Sequence, residues 1–281
     1  MKVGIVSGAI APLGDSRYEK LKALGFSALD LSMANTEDGL YLCSEQEFCE
    51  RLTRERELAS SAGIEIYQLH GPWRVPIRDG SAEERAERMD KMKKAVRAAK
   101  LLGAKCTVIH PIMPFGIFDI EKQKTKETWD INLTFMRELA SYAVHHGVTV
   151  CLENMPFPTF SLSKPDKIRD MIGEVDSERF KMCLDIGHVN VFPDLSVADE
   201  LKKHRDVIRA VHIHDNDGKG DNHALPYFGT IDWKTFGKTF RALDLPCPFS
   251  YETAPPKKLP QPIYETYLKS MVDMTAEILG Q

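Results

Sequence analysis

The residues of this chain that are best able to do chemistry are histidines and carboxylates that end short apolar segments or follow them closely. They are His70, His110, Glu153, Asp185, His188, His214, Asp221, His223 and Glu252. Imidazole and carboxylate groups that are scattered in sequence and gathered in space form many divalent-metal sites. The pattern therefore predicts a metal site, provided that one fold brings these segment ends together.

Strand-like and helix-like segments alternate eight times and supply such a fold. The predicted strands cover 2–7, 28–33, 64–70, 106–111, 148–153, 181–186, 208–214 and 248–253. The predicted helices cover 15–24, 44–62, 82–102, 123–146, 164–173, 196–204, 232–243 and 262–278. Parallel strands need a crossover for each return, which is usually a helix. The sequence therefore predicts an α/β fold, a single (β/α)8 TIM-barrel domain over residues 1–281 with the metal site at the C-terminal mouth of the strands.

The composition is that of a globular protein and argues against several classes of function. Hydrophobic residues make up 43% and charged residues 28% of the chain, and the net charge is −4. No apolar run approaches the roughly 18 residues that span a membrane, so no membrane association is expected. A mildly acidic chain has no general attraction for nucleic acid. Six cysteines without a CxxC pair, and no signal peptide, indicate a cytoplasmic protein.

Four of the candidate ligands end strands in the second half of the predicted barrel. They are Glu153, Asp185, His214 and Glu252. Their oxygen and nitrogen atoms suit Mn, Co, Mg, Fe or Zn, and two carboxylates beside a substrate can also move a proton. His214 is preferred as the ligand because it ends its strand, whereas His212 is predicted to be structural. A single strand-end acid or histidine is often only a cap or a core residue, but the coincidence of four favours a site.

Seven short motifs resemble the xylose-isomerase-like TIM-barrel superfamily. They are LHGPW (69–73), VIHP (108–111), LEN (152–154), LDIGH (184–188), HIHDNDG (212–218), DNHALPYFGTIDW (221–233) and SYET (250–253). The superfamily includes sugar-phosphate isomerases and epimerases and, on the same scaffold, apurinic endonucleases of the endonuclease IV type. The resemblance covers the whole chain and is specific for the fold and the metal site, and much less specific for the substrate.

In the epimerase branch, the resemblance implies a site for one divalent metal ion. The matching ligand positions are Glu153, Asp185, His214 and Glu252. The two glutamates would also serve as the catalytic acid and base. His188 matches a residue that contacts the oxygens of the sugar, and it is therefore a candidate catalytic residue as well.

In the nuclease branch, the resemblance implies up to three metal ions. The three sites would be formed by His70, His110 and Glu153, by the four residues of the single-metal site, and by His188, Asp221 and His223. All nine positions are filled in this chain. The five residues outside the single-metal site are therefore candidates for further metal binding or for substrate contact.

Four residues near the predicted mouth are candidate substrate contacts, namely Trp73, Phe115, Tyr227 and Lys219. Aromatic rings there can pack on the C–H face of a sugar. Lys219 is the only basic residue in DNDGKGD (215–221), where ketose 3-epimerases usually carry an arginine, and this departure weakens a strict 3-epimerase assignment. Tyr227 replaces the first glycine of the common P-G-x-G motif and adds bulk near the mouth.

The preferred hypothesis is a metal-dependent isomerase or epimerase of a sugar or sugar phosphate, which moves a proton through a metal-stabilised enediolate. The alternatives are an endonuclease IV-like zinc phosphodiesterase, an inosose-type dehydratase and a non-catalytic sugar sensor. A nuclease should present several cations to DNA phosphates, and only Arg74, Arg78, Lys257 and Lys258 are placed to do so. A small sugar is therefore the expected partner and nucleic acid is not, with a homodimer or homotetramer implied by the resemblance.

Overall fold

A ring of eight parallel strands forms the centre of the molecule. The computed structural model describes residues 1–37 and 39–281. Its strands are β1 (Val3–Val6), β2 (Ala28–Ser32), β3 (Glu65–His70), β4 (Cys106–Ile109), β5 (Pro114–Ile117), β6 (Thr149–Glu153), β7 (Phe180–Asp185), β8 (Ile208–His212) and β9 (Phe249–Tyr251). Eight of these strands form one sheet with the order β8-β7-β6-β4-β3-β2-β1-β9, and β5 lies outside it. A parallel bridge between Ile213 and Tyr251 joins its two edges and brings the ring close to full closure.

Helices connect the strands. They are α1 (Arg17–Ala23), α2 (Gly39–Leu42), α3 (Glu45–Ser61), α4 (Ala82–Leu102), α5 (Lys122–His146), α6 (Pro165–Val175), α7 (Ile186–Asn190), α8 (Val197–His204), α9 (Trp233–Leu243) and α10 (Gln261–Leu279). The predicted (β/α)8 barrel is thus confirmed. In the part of the chain that the structure describes, no helix is long and apolar enough to cross a membrane.

Local capping explains why the long helices begin and end where the sequence predicts. The Ser81 hydroxyl accepts from the Glu84 amide at 3.1 Å, and the Glu84 carboxylate accepts from the Ser81 amide at 2.9 Å. This reciprocal pair starts α4, and Gly103 with a φ of 73° ends it. Ser44 caps α3 in a similar way by accepting from the Glu47 amide.

The elements near the site differ from the prediction in three places that matter. The strand predicted over 208–214 ends at His212, and the strand predicted over 248–253 is shortened to Phe249–Tyr251. The short helix α7, which was not predicted, begins directly after Asp185. The Asp185 carboxylate accepts from the His188 amide at 2.7 Å and so caps this turn. Because of this turn, the His188 side chain returns to the barrel mouth.

The interior of the barrel carries polar side chains as well as apolar ones. Asp30 from β2, Gln68 from β3 and His212 from β8 are all fully buried and are joined by hydrogen bonds. Buried polar groups are costly unless they are paired, so such a set inside a barrel usually serves a site. In this molecule the set lies beside the strand ends that the sequence identified.

Candidate metal centre at the barrel mouth

Four strands deliver a compact set of ligand atoms to the C-terminal mouth. Glu153, Asp185 and His212 are the last residues of β6, β7 and β8, and Glu252 directly follows β9. Their candidate ligand atoms all lie within 4.8 Å of one another. The sheet register produces this arrangement, since Asp185 pairs with His212 across β7 and β8. We call these four residues the inner group.

His212 lies at the centre of the inner group. Its Nδ1 is 2.8 Å from Glu153 Oε1, 3.1 Å from Glu252 Oε2 and 3.8 Å from Asp185 Oδ2. Within the described residues, the buried oxygens Glu153 Oε2 and Glu252 Oε2 make no hydrogen bond of good geometry. Such oxygens are costly, and a divalent cation would satisfy them. Three carboxylates and one imidazole are also a suitable donor set, so the inner group fits a divalent metal.

The placement of His212 and His214 differs from the sequence hypothesis, which gave the fourth ligand position to His214 and a structural role to His212. The structure brings His212 into the inner group instead. Side chains two residues apart along a strand point to the same face, so His212 and His214 both face the mouth. They differ in position, because β8 ends at His212 and His214 lies two residues beyond the strand. His214 Nε2 lies 3.1 Å from Asp185 Oδ2 and 3.5 Å from Asp221 Oδ1. The sequence does contain a signal for His212, because the HIH spacing makes both imidazoles candidate metal ligands.

A second cluster of metal-binding residues lies beside the first and nearer to solvent. Asp221 Oδ2 is 3.3 Å from His188 Nε2 and 3.1 Å from His223 Nε2, and the His214 ring stacks on His223 with centroids 4.2 Å apart. The Nδ1 atoms of His188 and His223 lie 2.7 Å and 2.5 Å from backbone carbonyl oxygens. A ring that donates from Nδ1 leaves the Nε2 lone pair available to a metal or a proton. We call His188, His214, Asp221 and His223 the outer group.

His70 and His110 approach the inner group through Glu153. Their Nε2 atoms are 3.6 Å and 3.0 Å from Glu153 Oε2. The two imidazoles meet edge to face with centroids 4.9 Å apart, and Trp73 packs against His110 with centroids 4.4 Å apart. The structure therefore places all nine candidate residues of the sequence, together with His212, around one mouth.

The charges of the cluster separate the pKa values of its members. Burial alone would raise the pKa of Glu153, but the charge of His212 holds it well below its ordinary range. Burial opposes the charged form of His188, yet the Asp185 carboxylate and other acidic neighbours raise its pKa to about 10. Burial lowers the pKa of His110 to about 4. At neutral pH the metal-free mouth thus combines ionised carboxylates with a charged and a neutral imidazole.

A cavity of about 400 Å³ opens at the two groups. Glu252, His188 and residues of the outer group form its polar side, and Trp73, Met155 and Phe157 contribute an apolar wall. Pockets for small molecules commonly have this size and this mixture of apolar surface with a few convergent polar groups. Met155 and Phe157 were not predicted. Their position directly after the strand end at Glu153 is the signal that could have identified them.

The four predicted substrate contacts are spread over the molecule. Trp73 lines the cavity, whereas Phe115, Tyr227 and Lys219 are not among the described residues that line it. Phe115 is half-buried in β5, and Lys219 is exposed in the loop after β8. The Tyr227 side chain lines a separate groove between α9 and α10. The structure therefore brings only the tryptophan of this set to the candidate site.

A buried carboxylate shapes the loop that carries Tyr227. Asp215 is fully buried and accepts from the Gly229 amide at 3.0 Å, the Ile231 amide at 3.2 Å and Trp233 Nε1 at 2.8 Å. A Cβ atom at position 229 would lie 2.1 Å from a backbone oxygen, so glycine is required there. Between these contacts Tyr227 has a φ of 72°, a left-handed conformation that glycine adopts more readily. The sequence motif singles out Tyr227 as unusual, but it does not predict which way the ring of Tyr227 points.

Comparisons with known proteins agree with this architecture. A family profile described as a xylose isomerase-like TIM barrel matches residues 18–271. An uncharacterized protein of Methanocaldococcus jannaschii is 31% identical over 67% of this chain and 70% of its own length. A D-psicose 3-epimerase of Enterocloster bolteae is 26% identical over 80% of this chain and 72% of its own length. A probable endonuclease 4 of Mycoplasmoides gallisepticum is 25% identical over 60% of this chain and 57% of its own length.

Among solved structures, a D-tagatose 3-epimerase-like protein superposes on this chain with a TM-score of 0.76. The sequence identity is 22%, and the superposition covers 100% of this chain and 98% of the other. At this identity the likeness establishes the fold. The named activities among the relatives fall into the two branches that the sequence motifs resemble, sugar epimerases and nucleases.

Proposed function

We propose that this chain, which belongs to the xylose isomerase-like TIM-barrel family, is a divalent-metal-dependent isomerase or epimerase of a sugar or sugar phosphate. One observation carries the proposal. Two glutamates, Glu153 and Glu252, meet around the Nδ1 atom of His212, and Glu252 also lines a cavity of sugar size. Metal-binding atoms and a proton-transfer group therefore share one position beside the space for a small substrate.

The inner group would hold the metal. Its members are Glu153, Asp185, His212 and Glu252. A divalent ion bound there would polarise a carbonyl group and disperse the negative charge that develops on its oxygen. The donor set suits Mn, Co, Mg, Fe or Zn. The two unsatisfied glutamate oxygens support the fit because they are already buried and oriented without a ligand.

Glu252 is the residue to which we assign proton removal. It exposes 18% of its side chain to the cavity, whereas Glu153 is fully buried. A general base must lie within hydrogen-bond reach of the proton that it takes. The Glu252 carboxylate takes the proton from the carbon beside the carbonyl. The electron pair of that C–H bond forms a carbon–carbon double bond, and the π pair of the carbonyl group moves to its oxygen. Return of the proton by Glu252 or Glu153 to the opposite face of the same carbon gives an epimer. Its return to the former carbonyl carbon gives an isomer, once the hydroxyl proton of the neighbouring carbon has moved to the former carbonyl oxygen.

His188 and the apolar wall would orient the substrate. The His188 ring is held by the Asn154 carbonyl at Nδ1 and faces Asp221 with Nε2 at the cavity surface. From this position it can donate a hydrogen bond to a substrate oxygen. Trp73 and Phe157 line the same cavity and can cover the C–H surface of a sugar, which excludes water from the reacting carbon.

A zinc phosphodiesterase is the second candidate, because metal-binding residues extend beyond the inner group. The outer group and the cluster of His70, His110 and Glu153 could each hold a further ion. A phosphodiesterase that acts on DNA also needs cationic side chains for the phosphates. The fourteen cavity-lining residues, all within the described part of the chain, include no lysine and no arginine. This composition favours the sugar over the nucleic acid.

Hydrogen exchange at carbon tests the proposed function directly. The Mn²⁺-loaded protein would be incubated in D2O with a panel of ketoses, aldoses and their phosphates, and the sugars followed by NMR. We expect deuterium at the carbon beside the carbonyl of at least one sugar. EDTA and the Glu252→Gln substitution should each abolish it, whereas Asp217→Asn, at an exposed position of the loop after β8, should not.

The metal content of protein purified without added metal or an affinity tag separates the two candidates. One ion per chain at the inner group supports the sugar reaction. Two or three zinc ions per chain, together with cleavage of DNA at abasic sites and no deuterium incorporation into any sugar, would overturn the proposal in favour of the phosphodiesterase.

A further inference from the structure

Asp30 is a buried carboxylate on the side of His212 that faces away from the inner glutamates. It is the third residue of β2 and has no exposed surface. Its Oδ2 lies 3.1 Å from His212 Nε2 and 3.0 Å from Gln68 Nε2. Its Oδ1 has no hydrogen-bond partner among the described residues. One oxygen of this carboxylate therefore serves both neighbours, and one of those neighbours is the central imidazole of the metal site.

The contact with Asp30 determines which nitrogen of His212 can bind a metal. An ionised carboxylate only accepts hydrogen bonds, so the bond to Asp30 requires a proton on Nε2 of His212. A neutral imidazole that is protonated at Nε2 carries its lone pair on Nδ1. Nδ1 is the atom that lies 2.8 Å from Glu153 and 3.1 Å from Glu252. The lone pair thus points to the place where the carboxylate oxygens of the inner group converge.

We propose that Asp30 is a positioning residue of the metal site, which fixes the tautomer and the ring orientation of His212 so that Nδ1 faces the metal. The inference deepens the proposed function and rests on it, because the inner group is where that function places the metal. Carboxylates that accept from the second nitrogen of a metal-binding histidine raise the basicity of the ligand and hold its ring. Asp30 lies far from the other site residues in sequence and outside every site motif.

A packing role alone does not explain Asp30. A buried carboxylate with one unpaired oxygen is unfavourable, and Gln68 Oε1 beside it is also without a hydrogen-bond partner in the described structure. An apolar side chain of similar size would fill the same interior position without that cost. The polar pair is therefore better explained by its action on His212 than by the stability of the barrel.

Metal affinity measured on Asp30 variants tests the inference. The control is Asp119→Asn, because Asp119 is also a fully buried carboxylate but binds Ser161 and takes no part in the inner group. Titration with Co²⁺ against a competing chelator gives the dissociation constant for each variant. We expect Asp30→Asn to weaken binding about 10-fold and Asp30→Leu about 100-fold. Asp119→Asn should stay within about 2-fold of the wild-type protein, the limit we set for an indirect effect.

Long-range ¹H–¹⁵N spectra of the histidine rings in the Zn²⁺-loaded wild-type protein keep the test independent of whether a variant folds. The inference requires the His212 proton on Nε2 and the metal on Nδ1. A proton on Nδ1, or Asp30 variants that bind Co²⁺ as tightly as the wild-type protein, would overturn it. If metal binds through Nδ1 of His212 but no sugar exchanges deuterium, the proposed function fails while the role of Asp30 stands.

Discussion

The inner and outer groups offer similar side chains but are built in different ways. Every member of the inner group ends a strand or directly follows one, and only Glu252 has side-chain exposure, at 18%. In the outer group, Asp221 and His223 stand in a loop, with 29% and 39% of their side chains exposed. Strand-end positions are set by the sheet register, whereas loop positions depend on individual hydrogen bonds. The inner group is therefore the more rigid of the two.

Local contacts compensate for this difference in the outer group. The His223 carbonyl accepts from Thr253 Oγ1 at 2.5 Å, and His223 Nδ1 lies 2.5 Å from the Glu252 carbonyl oxygen. Both contacts tie the loop to the end of β9, next to the inner group. His223 also has a positive φ of 47°, which is uncommon for a residue with a side chain. The outer group is thus held in place by a few bonds that a single substitution can remove.

The largest expected contrast between the groups is in turnover. Glu252→Gln keeps the shape of the side chain but removes its basicity, and we expect kcat to fall by about 10³-fold or more. The matched substitution Asp221→Asn in the outer group should lower kcat by about 10-fold or less, because it removes a hydrogen-bond partner of His188 and not the base. Steady-state kinetics on the sugar that exchanges deuterium would measure both effects.

The order of these two losses is the informative result. Equal losses in both variants would mean that the groups work as one catalytic unit. A larger loss in Asp221→Asn would move the chemistry to the outer group and would contradict the assignment of proton removal to Glu252.

The fold and most of the inner group were predictable from sequence because they depend on regular periodicity. Alternating strand and helix patterns give the barrel, and the barrel gathers strand ends such as those at Glu153 and Asp185. The exact end of a strand is harder to predict, because it depends on the last cross-strand hydrogen bonds. That uncertainty of two residues led to the choice of His214 over His212.

The loops and the interior partners could not be predicted because they depend on contacts between distant parts of the chain. The direction of Tyr227 follows from bonds that converge on the buried Asp215. Asp30 stands 182 residues before His212 and lies in a strand that reads as ordinary barrel interior. No local pattern indicates that its oxygen meets an imidazole across the barrel.

Metal affinity should also distinguish the inner group from the outer group, because the HIH motif supplies one histidine to each. His212→Gln removes the central nitrogen of the inner group, and we expect the dissociation constant of the first metal ion to rise on the order of 100-fold or more. His214→Gln removes a neighbour of Asp185 and should raise it about 10-fold or less. Co²⁺ titration monitored by visible absorption would measure both constants. A stronger effect of His214→Gln would restore the assignment that the sequence first suggested.

The smallest effect concerns the stability of the metal-free protein against pH and arises mainly in the outer group. The pKa of His188 is raised to about 10, so its pairing stabilises the fold fully below its unfolded value of about 6.5 and is lost as the pH rises toward 10. Burial favours a higher pKa for Asp221, but the hydrogen bond from His188 outweighs it and the pKa is lowered. The contribution of Asp221 to stability is therefore present above about pH 4 and is lost in acid. The pair therefore stabilises the metal-free protein most between about pH 4 and 6.5.

Thermal unfolding with EDTA and with Mn²⁺ would measure this dependence. In EDTA, raising the pH from 6.5 to 10 should lower the free energy of unfolding, and the contact between His188 and Asp221 should contribute about 1 kcal/mol of this loss. Asp221→Asn should remove that share, while the share due to the Asp185 carboxylate remains. Asp217→Asn, an exposed neighbour in the same loop, should keep the whole slope. With Mn²⁺ the increment in Tm should grow with pH instead, because metal binding requires deprotonated ligands. A slope in EDTA that Asp221→Asn leaves unchanged would show that the His188–Asp221 pair does not control the stability of this mouth.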